Sequence, residues 1–309
     1  MKQELSGLSQ MNRYIFGLVL VPLVMQNAGL ALVTKHTFRV GVARYEPATV
    51  VFMAELLKAV LSAFACKLLP QSEKMQTSSK GKAQFLLLLP SSLYVFQNNL
   101  QMYAVKHLTA TTFIVCSQLK IVTTAIFSSI FLGFRLSRVR LLSIVMLTMG
   151  VTLVQTHNLV STEAQSSSTG LAAVLTAVAI SGLAGVLLEF IYKEHDSSIW
   201  TKNFHLSLLS LPIAWLAALR SVNSSSSTQE FFYGYDQYVV LVVVLQAIGG
   251  LLVAAVLKYA DSVIKCFAVS TSILLVHLHG IGSGREVINV TQMFGVCLVV
   301  VALHGYSAW

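Results

Sequence analysis

Ten stretches of mostly apolar residues follow one another along the chain, each about as long as a membrane-spanning helix of roughly 20 residues. Charged residues make up only 11% of the 309 residues, against roughly 25% in a soluble domain. A soluble protein of this size needs more charged side chains to cover its water-exposed surface. The sequence therefore excludes a soluble enzyme. It predicts an all-α polytopic membrane protein with ten transmembrane helices. These spans lie near residues 14–34, 48–69, 84–104, 109–132, 139–156, 170–192, 199–219, 237–259, 262–279 and 288–307.

Lysine and arginine are distributed unevenly between the two sides of the predicted membrane. With the N-terminus in the cytosol, 13 of the 21 basic residues fall on the cytosolic side, six fall on the other side, and Lys58 and Lys120 lie inside spans. Because basic residues are retained on the cytosolic side, this bias predicts that both termini are cytosolic. The net charge of +9 is then mostly a topology signal, and no arginine-rich stripe or aromatic platform indicates nucleic acid as a partner.

A short repeat relates the two halves of the chain. Met-Gly-Val-Thr-Leu-Val around Gly150 matches Phe-Gly-Val-Cys-Leu-Val around Gly295, and the same offset of 145 residues relates Lys120 to Lys265. Because each half holds five helices, an odd number, the second half enters the membrane inverted, as in many secondary transporters. We therefore expect two inverted five-helix repeats, with the substrate site near the membrane midplane between the halves. The first repeat covers 1–160, a Ser-rich lumenal linker covers 161–169, and the second repeat covers 170–309.

Two lysines within or beside the spans mark a candidate site. A lysine at the centre of a helix costs roughly 2.5–3.5 kcal/mol to insert, so it needs a partner or a substrate. Glu55 and Lys58 lie within one helical turn and are predicted to pair, which leaves Lys120 and Lys265 as two cations suited to a polyanion such as a pyrophosphate. The alternative for Lys265 is that it extends to the cytosolic interface. The alternative for Lys120 is an ion pair with a carboxylate: Glu55, Glu189 or Asp261.

Polar side chains elsewhere in the spans are ambiguous. The amides around Asn98, and Asn203 with Ser207 one turn later, either hold helices together or read the edge of a base. His277 and His279 face opposite sides of a helix, so we expect no metal site. Neither catalytic residues nor a cofactor are predicted. Close helix packing is predicted at four glycines: Gly182, Gly185, Gly249 and Gly250.

Several segments resemble Golgi nucleotide-sugar transporters, and the resemblance covers essentially all ten spans. These segments are Phe96 to Gln101, Thr111 to Phe113, Gln118 to Ala125, Ser181 to Val186, and Gly249 to Asp261. The chain is similar to the group that carries UDP-galactose, CMP-sialic acid and UDP-N-acetylglucosamine. Within this group, Gln26-Asn27-Ala28 and Thr112-Phe113 look most like UDP-galactose transporters. The resemblance implies the drug/metabolite-transporter fold and exchange of a cytosolic nucleotide sugar for a lumenal nucleoside monophosphate.

The resemblance also implies roles for individual residues. Lys120 and Lys265 match the phosphate-binding lysines of that family. Two positions depart from the family pattern: Ser117 replaces a tyrosine, and Cys266 replaces a glycine. The residues implied to line the nucleoside and sugar pocket are Asn98, Phe113, Ser117, Asn203 and Ser207.

These observations together predict an antiporter in the Golgi membrane. It would move UDP-galactose into the lumen in exchange for UMP by alternating access, as a monomer or a homodimer in the lipid bilayer. UDP-N-acetylglucosamine, UDP-N-acetylgalactosamine and CMP-sialic acid are alternative substrates, and the endoplasmic reticulum is an alternative location. An integral-membrane transferase is a remote alternative, because the acidic and histidine residues are too dispersed for a catalytic site. A structural membrane subunit would have no use for unpaired lysines.

Overall fold

A computed structural model gives the structure of the chain. It describes residues 2–37, 45–68, 80–133, 136–156, 167–193, 198–224, 231–284 and 289–307, without the side chains of 2–16, 80–86 and a few further helical residues, Asn98 among them. Ten α-helices form in these ranges. They are α1 (Lys2–Thr37), α2 (Pro47–Leu68), α3 (Lys80–His107), α4 (Ala110–Leu132), α5 (Arg138–Thr156), α6 (Ser168–Lys193), α7 (Ile199–Ser224), α8 (Gln237–Tyr259), α9 (Ser262–Gly282) and α10 (Val290–Ser307).

Several helices begin or end at residues that cap them. Thr109, Asp236 and Asp261 precede α4, α8 and α9, and each side chain accepts a hydrogen bond from a backbone N–H of the first turn. Gly133 follows α4 with a φ of 66°, a conformation that glycine adopts at little cost. Each predicted span coincides with a helix, and α8 has the predicted limits. By contrast, α1 begins at Lys2, well before the predicted start, because a helix can continue into water beyond its apolar segment.

Eight helices of the described chain are long and apolar enough to cross a membrane. They include α9, although its second half contains His277 and His279. The other two helices are α3, whose hydropathy is lowered by the amides between Gln97 and Gln101, and α10, whose described apolar part, Val290–Tyr306, is shorter. The chain is therefore an all-helical polytopic membrane protein, which confirms the predicted class.

The chain groups into two compact units. The first unit comprises Met1–Ser91 and Ile191–Ala260, and the second comprises Ser92–Phe190 and Asp261–Trp309. Each unit thus combines helices from early and late parts of the sequence. This grouping reflects helix packing, whereas the predicted division at 161–169 concerns the order of repeats along the chain, so the two divisions describe different properties.

In the first unit, α2 packs along α7, and α1 packs along α8. Near one end of the α2–α7 pair, the rings of Phe52 and Trp215 lie 5.1 Å apart, and the Phe231 ring lies 5.6 Å from Trp215. At the other end, Cys66 Sγ lies 3.7 Å from Thr201 Oγ1. These contacts show that α2 and α7 run antiparallel and stay together over most of their length.

In the second unit, α5 packs along α10, and α4 contacts both α5 and α9. Gly150 and Gly295 lie where α5 meets α10: a Cβ atom on Gly150 would come within 2.7 Å of the Gly295 carbonyl oxygen, and one on Gly295 within 2.8 Å of the Gly150 carbonyl oxygen. Such direct backbone contact supplies van der Waals attraction between helices in a membrane, where lipid removes the hydrophobic driving force. Buried core residues of this unit include Ile121, Ile144, Leu147, Val151, Val263, Phe267, Val299 and Ala302.

Candidate functional site

Lys120 lies nearly three turns into α4 and is partly buried. Its backbone carbonyl accepts hydrogen bonds from the hydroxyls of Thr123 and Thr124, at 3.2 and 2.6 Å. Its ammonium group has no hydrogen bond or ion pair with any residue that the structure describes. Within the described chain, α4 therefore carries a cation without a counter-charge.

The three carboxylates considered as partners of Lys120 bond elsewhere. Glu55 forms the predicted ion pair with Lys58, at 2.7 Å between Oε1 and Nζ. Glu189 and Asp261 each accept a hydrogen bond of 2.7 Å from a backbone N–H in the first turn of α9. The pairing of Glu55 with Lys58 is thus confirmed, and none of the three carboxylates forms an ion pair with Lys120.

Lys265 lies in the first turn of α9, three residues after Ser262. Its side chain reaches across α6, where the ammonium nitrogen lies 3.5 Å from the position that a Cβ atom of Gly185 would occupy. Like Lys120, it has no hydrogen bond or ion pair from its ammonium group to the described residues. The Lys265 ammonium therefore lies at contact distance from the Gly185 face of α6.

A second glycine of α6 makes the corresponding contact with α4. A Cβ atom on Gly182 would lie 2.7 Å from Thr123 Oγ1, one turn after Lys120. Residues three apart share a face of a helix, so Gly182 and Gly185 form one smooth strip on α6. Within the second unit, the two lysine-bearing helices therefore both contact this strip of α6.

Two further predicted residues share the face of α4 that carries Lys120. Phe113 is partly buried and packs against a core cluster that includes Ala104 and Val174. The Ser117 hydroxyl is buried and has no hydrogen-bond partner among the described residues. The spacing of these residues places an aromatic ring, an unsatisfied hydroxyl and an ammonium group in a row along α4.

Asn203 and Ser207 lie one turn apart on α7, in the first unit, and both are buried. Asn203 Oδ1 accepts a hydrogen bond of 2.9 Å from the Tyr192 hydroxyl. Asn203 Nδ2 and the Ser207 hydroxyl have no partner in the part of the chain that the structure describes. Buried polar groups are seldom unsatisfied, so these two mark a place for a ligand or a water molecule. Asn98 belongs to α3, and its side chain lies outside the described residues.

The first unit also contains a cavity of about 330 Å³ between α1, α2 and α8, which the sequence analysis did not identify. Its polar lining consists of the amides of Gln26, Asn27 and Gln246 and the Glu55–Lys58 ion pair. These groups offer hydrogen-bond donors and acceptors together, which suits a ligand rich in hydroxyl groups.

The Gly249-Gly250 pair of α8 was the sequence signal for this cavity. A Cβ atom on Gly249 would lie 2.5 Å from Gln26 Nε2, and one on Gly250 would lie 2.8 Å from Lys58 Cδ. The glycines therefore make room for two polar side chains. The sequence predicts close helix packing at these glycines, but it does not indicate that the side chains of Gln26 and Lys58 line a cavity there.

Comparison with known proteins points to one family. A family model described as nucleotide-sugar transporter matches residues 11–307. The chain is 35% identical to the UDP-galactose transporter of Schizosaccharomyces pombe, over 94% of this chain and 87% of that protein. It is 36% identical to the UDP-galactose translocator of Homo sapiens, over 93% and 76% of the two chains. It is 37% identical to the UDP-N-acetylglucosamine transporter of Homo sapiens, over 92% and 93%.

A solved crystal structure is similar to the chain with a TM-score of 0.71. The match covers 95% of this chain and 96% of the other, at 14% sequence identity. At that identity the likeness concerns the fold alone.

Proposed function

Because the chain belongs to the nucleotide-sugar transporter family, we propose that it carries UDP-galactose across the Golgi membrane in exchange for UMP, by alternating access. Its relatives are named transporters or translocators, so the chain is a transporter and not an enzyme. Relatives 35% and 36% identical are named for UDP-galactose, which supports this substrate. A relative 37% identical is named for UDP-N-acetylglucosamine, which is therefore the first alternative, ahead of UDP-N-acetylgalactosamine and CMP-sialic acid.

The observation that carries this proposal is the pair of ammonium groups on Lys120 and Lys265. An unpaired cation inside a membrane protein is unfavourable, and a bound anion relieves the cost. A nucleotide sugar brings a diphosphate, and the returning monophosphate also brings negative charge, so both could bind the same two lysines. Because an ammonium is a compact charge on a flexible stem, it can bind a phosphate and release it again.

The remaining site residues are proposed to bind the uncharged parts of the ligand. Phe113 offers a ring face to the nucleoside, and the unsatisfied Ser117 hydroxyl on the same face of α4 offers a hydrogen bond. Asn98, Asn203 and Ser207 are proposed to read polar groups of the base or ribose.

The membrane arrangement is part of the same proposal. We propose ten spans with both termini in the cytosol, and inverted repeats at 1–160 and 170–309 joined by 161–169. The reciprocal contact of Gly150 with Gly295 supports the repeats, because matching positions of two halves meet each other when a two-fold axis relates those halves.

Counterflow in proteoliposomes tests the function. Purified protein is reconstituted into vesicles preloaded with UMP, and uptake of labelled UDP-galactose is compared with uptake into empty vesicles. We expect preloading to stimulate uptake at least several-fold and Lys120→Ala to abolish it. Lys67→Ala, which removes an exposed lysine at the end of α2, should behave like the unmodified chain.

Two results would contradict the proposal. Equal uptake into preloaded and empty vesicles would rule out exchange with UMP. Uptake that persists in Lys120→Ala would show that this lysine is not part of the substrate site. A competition series with the unlabelled alternatives then ranks the substrates. If UDP-N-acetylglucosamine competes more strongly than UDP-galactose, the choice of sugar is wrong while the exchange mechanism stands.

A further inference from the structure

The start of α9 is tied to α6 by two buried hydrogen bonds. Glu189 Oε2 accepts a hydrogen bond of 2.7 Å from the backbone N–H of Ser262. The Ser262 hydroxyl donates one of 2.9 Å to the Gly185 carbonyl oxygen. Glu189 is 2% exposed and Ser262 is fully buried. Ser262 is the first residue of α9, so Glu189 satisfies one of the N–H groups that a helix start leaves without an intrahelical partner.

Lys265 follows in the same turn of α9. A helix N-terminus carries partial positive charge, so a cation there is unfavourable unless something else requires it. Two carboxylates lie close by in the structure, Glu189 and the capping residue Asp261, yet both accept hydrogen bonds from the α9 backbone. Neither forms an ion pair with Lys265, whose ammonium group lies over Gly185. The acidic groups thus stabilise the helix start without neutralising the lysine.

We propose that Glu189 is a positioning residue for phosphate recognition. By holding the first turn of α9 against α6, it fixes the ammonium of Lys265 over the Gly185 backbone, where a phosphate reaches it. Glu189 itself does not touch the ligand. The inference rests on the proposed function, because it assumes that Lys265 binds a phosphate of the transported nucleotide.

Binding of UMP and uridine separates this role from a general structural one. The two ligands differ only in the phosphate, and both are measured by competition against labelled UMP on purified protein. We expect Glu189→Ala to weaken UMP about tenfold, the effect of losing one hydrogen bond to a charged group, and to leave uridine within about twofold. Glu189→Gln should bind UMP at least as well as the unmodified protein, because its amide oxygen can still accept the Ser262 N–H and a negative charge near Lys265 is removed.

A double-mutant comparison shows whether Glu189 acts through Lys265. In a Lys265→Ala background, Glu189→Ala should change UMP affinity by less than about twofold, because the group that it positions is gone. Asp236→Ala is the matched control: Asp236 caps α8 with a hydrogen bond of 2.8 Å to Val239 N, at a helix start without a site lysine. This substitution should leave the ratio of UMP to uridine affinity unchanged.

Three outcomes would overturn the inference. One is equal weakening of UMP and uridine by Glu189→Ala. Another is a full tenfold loss that remains in the Lys265→Ala background. The third is a Glu189→Gln protein as defective as Glu189→Ala, which would show that the charge itself is required. If Glu189→Ala does not fold, Ser262→Ala, which removes only the bond to Gly185, should weaken UMP about threefold. If the unmodified protein does not bind UMP at all, the proposed function fails, and this result is distinct from the three above.

Discussion

α4 and α9 carry lysines at equivalent places in the sequence repeat, but the structure holds the two lysines differently. Lys120 lies deep within a continuous helix, with threonine hydroxyls bonded to its carbonyl and its ammonium unengaged among the described residues. Lys265 lies at a helix start, near two carboxylates that each accept a hydrogen bond from the α9 backbone. Among the described residues neither ammonium forms an ion pair, although Lys265 lies near two carboxylates that accept hydrogen bonds from the α9 backbone.

The difference teaches how sensitive each lysine is to its surroundings. Substitutions around Lys120 should act through helix packing, because no cap or acidic group lies within its turn. Substitutions around Lys265 should alter phosphate binding without contacting the ligand, because its position depends on how α9 begins.

The largest expected effect is the loss of the mid-helix cation. Lys120→Ala should weaken UMP about 100-fold, since removing one member of a desolvated charge pair typically costs at least 2 kcal/mol. Lys265→Ala should weaken UMP less, about tenfold, because the partial positive charge of the α9 N-terminus remains in this variant. Titration of UMP against each purified variant measures both values. Equal losses of UMP affinity in the two variants would show that the two lysines contribute equally to phosphate binding, contrary to this expectation.

The next effect concerns the α6 contact with α4. Gly182→Ala would place a methyl group 2.7 Å from Thr123 Oγ1 and 2.9 Å from the Thr124 backbone nitrogen, so the two helices must separate. We expect a loss of about 1–3 kcal/mol in stability, typical of overpacking, with a lower melting temperature in detergent. An unchanged melting temperature would show that this contact is not maintained.

The matched change at the α9 contact should be milder and of a different kind. A methyl group on Gly185 would lie 3.5 Å from Lys265 Nζ, an ordinary contact distance. Gly185→Ala should therefore keep its melting temperature. It should weaken UMP about threefold, because the methyl group would cover part of the Lys265 ammonium that a phosphate must reach, while uridine binding stays the same. Thermal melting and UMP competition on the same preparation separate the two glycines.

The smallest effects should come from the helix caps, and only one of the two cap variants should change UMP affinity. Thr109→Ala removes the cap of α4 and should cost about 1 kcal/mol in stability, without changing UMP affinity, because Lys120 lies nearly three turns away.

Asp261→Asn keeps a capping side chain and removes a negative charge beside Lys265, so UMP affinity should rise about twofold. Weaker UMP binding by Asp261→Asn would show that this carboxylate supports phosphate binding and does not oppose it.

The ten helices could be predicted from the sequence because hydropathy alone locates an apolar segment of the required length. Their ends could be predicted less well: α1 and α3 begin well before the apolar segments, and α7 continues to Ser224, since backbone hydrogen bonds do not stop at the lipid boundary. The Glu55–Lys58 pair was also predictable, because the two residues are three apart on one helix.

The long-range parts of the site could not be predicted. The bond from Ser262 N to Glu189 joins residues of two helices, and no local pattern signals it. The sequence predicts Glu189 only as a partner for a lysine, because a carboxylate can accept hydrogen bonds either from a cation or from a helix start. The cavity beside Gly249 could not be predicted for a similar reason. A glycine in a helix indicates that another part of the chain approaches the backbone closely, but it does not identify the side chain that does so.

The polar stretch of α3 has a consequence for how the protein is made. A nascent helix whose amides lower its hydropathy partitions poorly into lipid on its own, since each amide must leave water without a partner. We therefore expect α3 to enter the bilayer together with a neighbouring helix that shields Gln97 to Gln101, and not as an independent segment. The step of synthesis at which α3 inserts would then depend on helices that the ribosome makes before or after it.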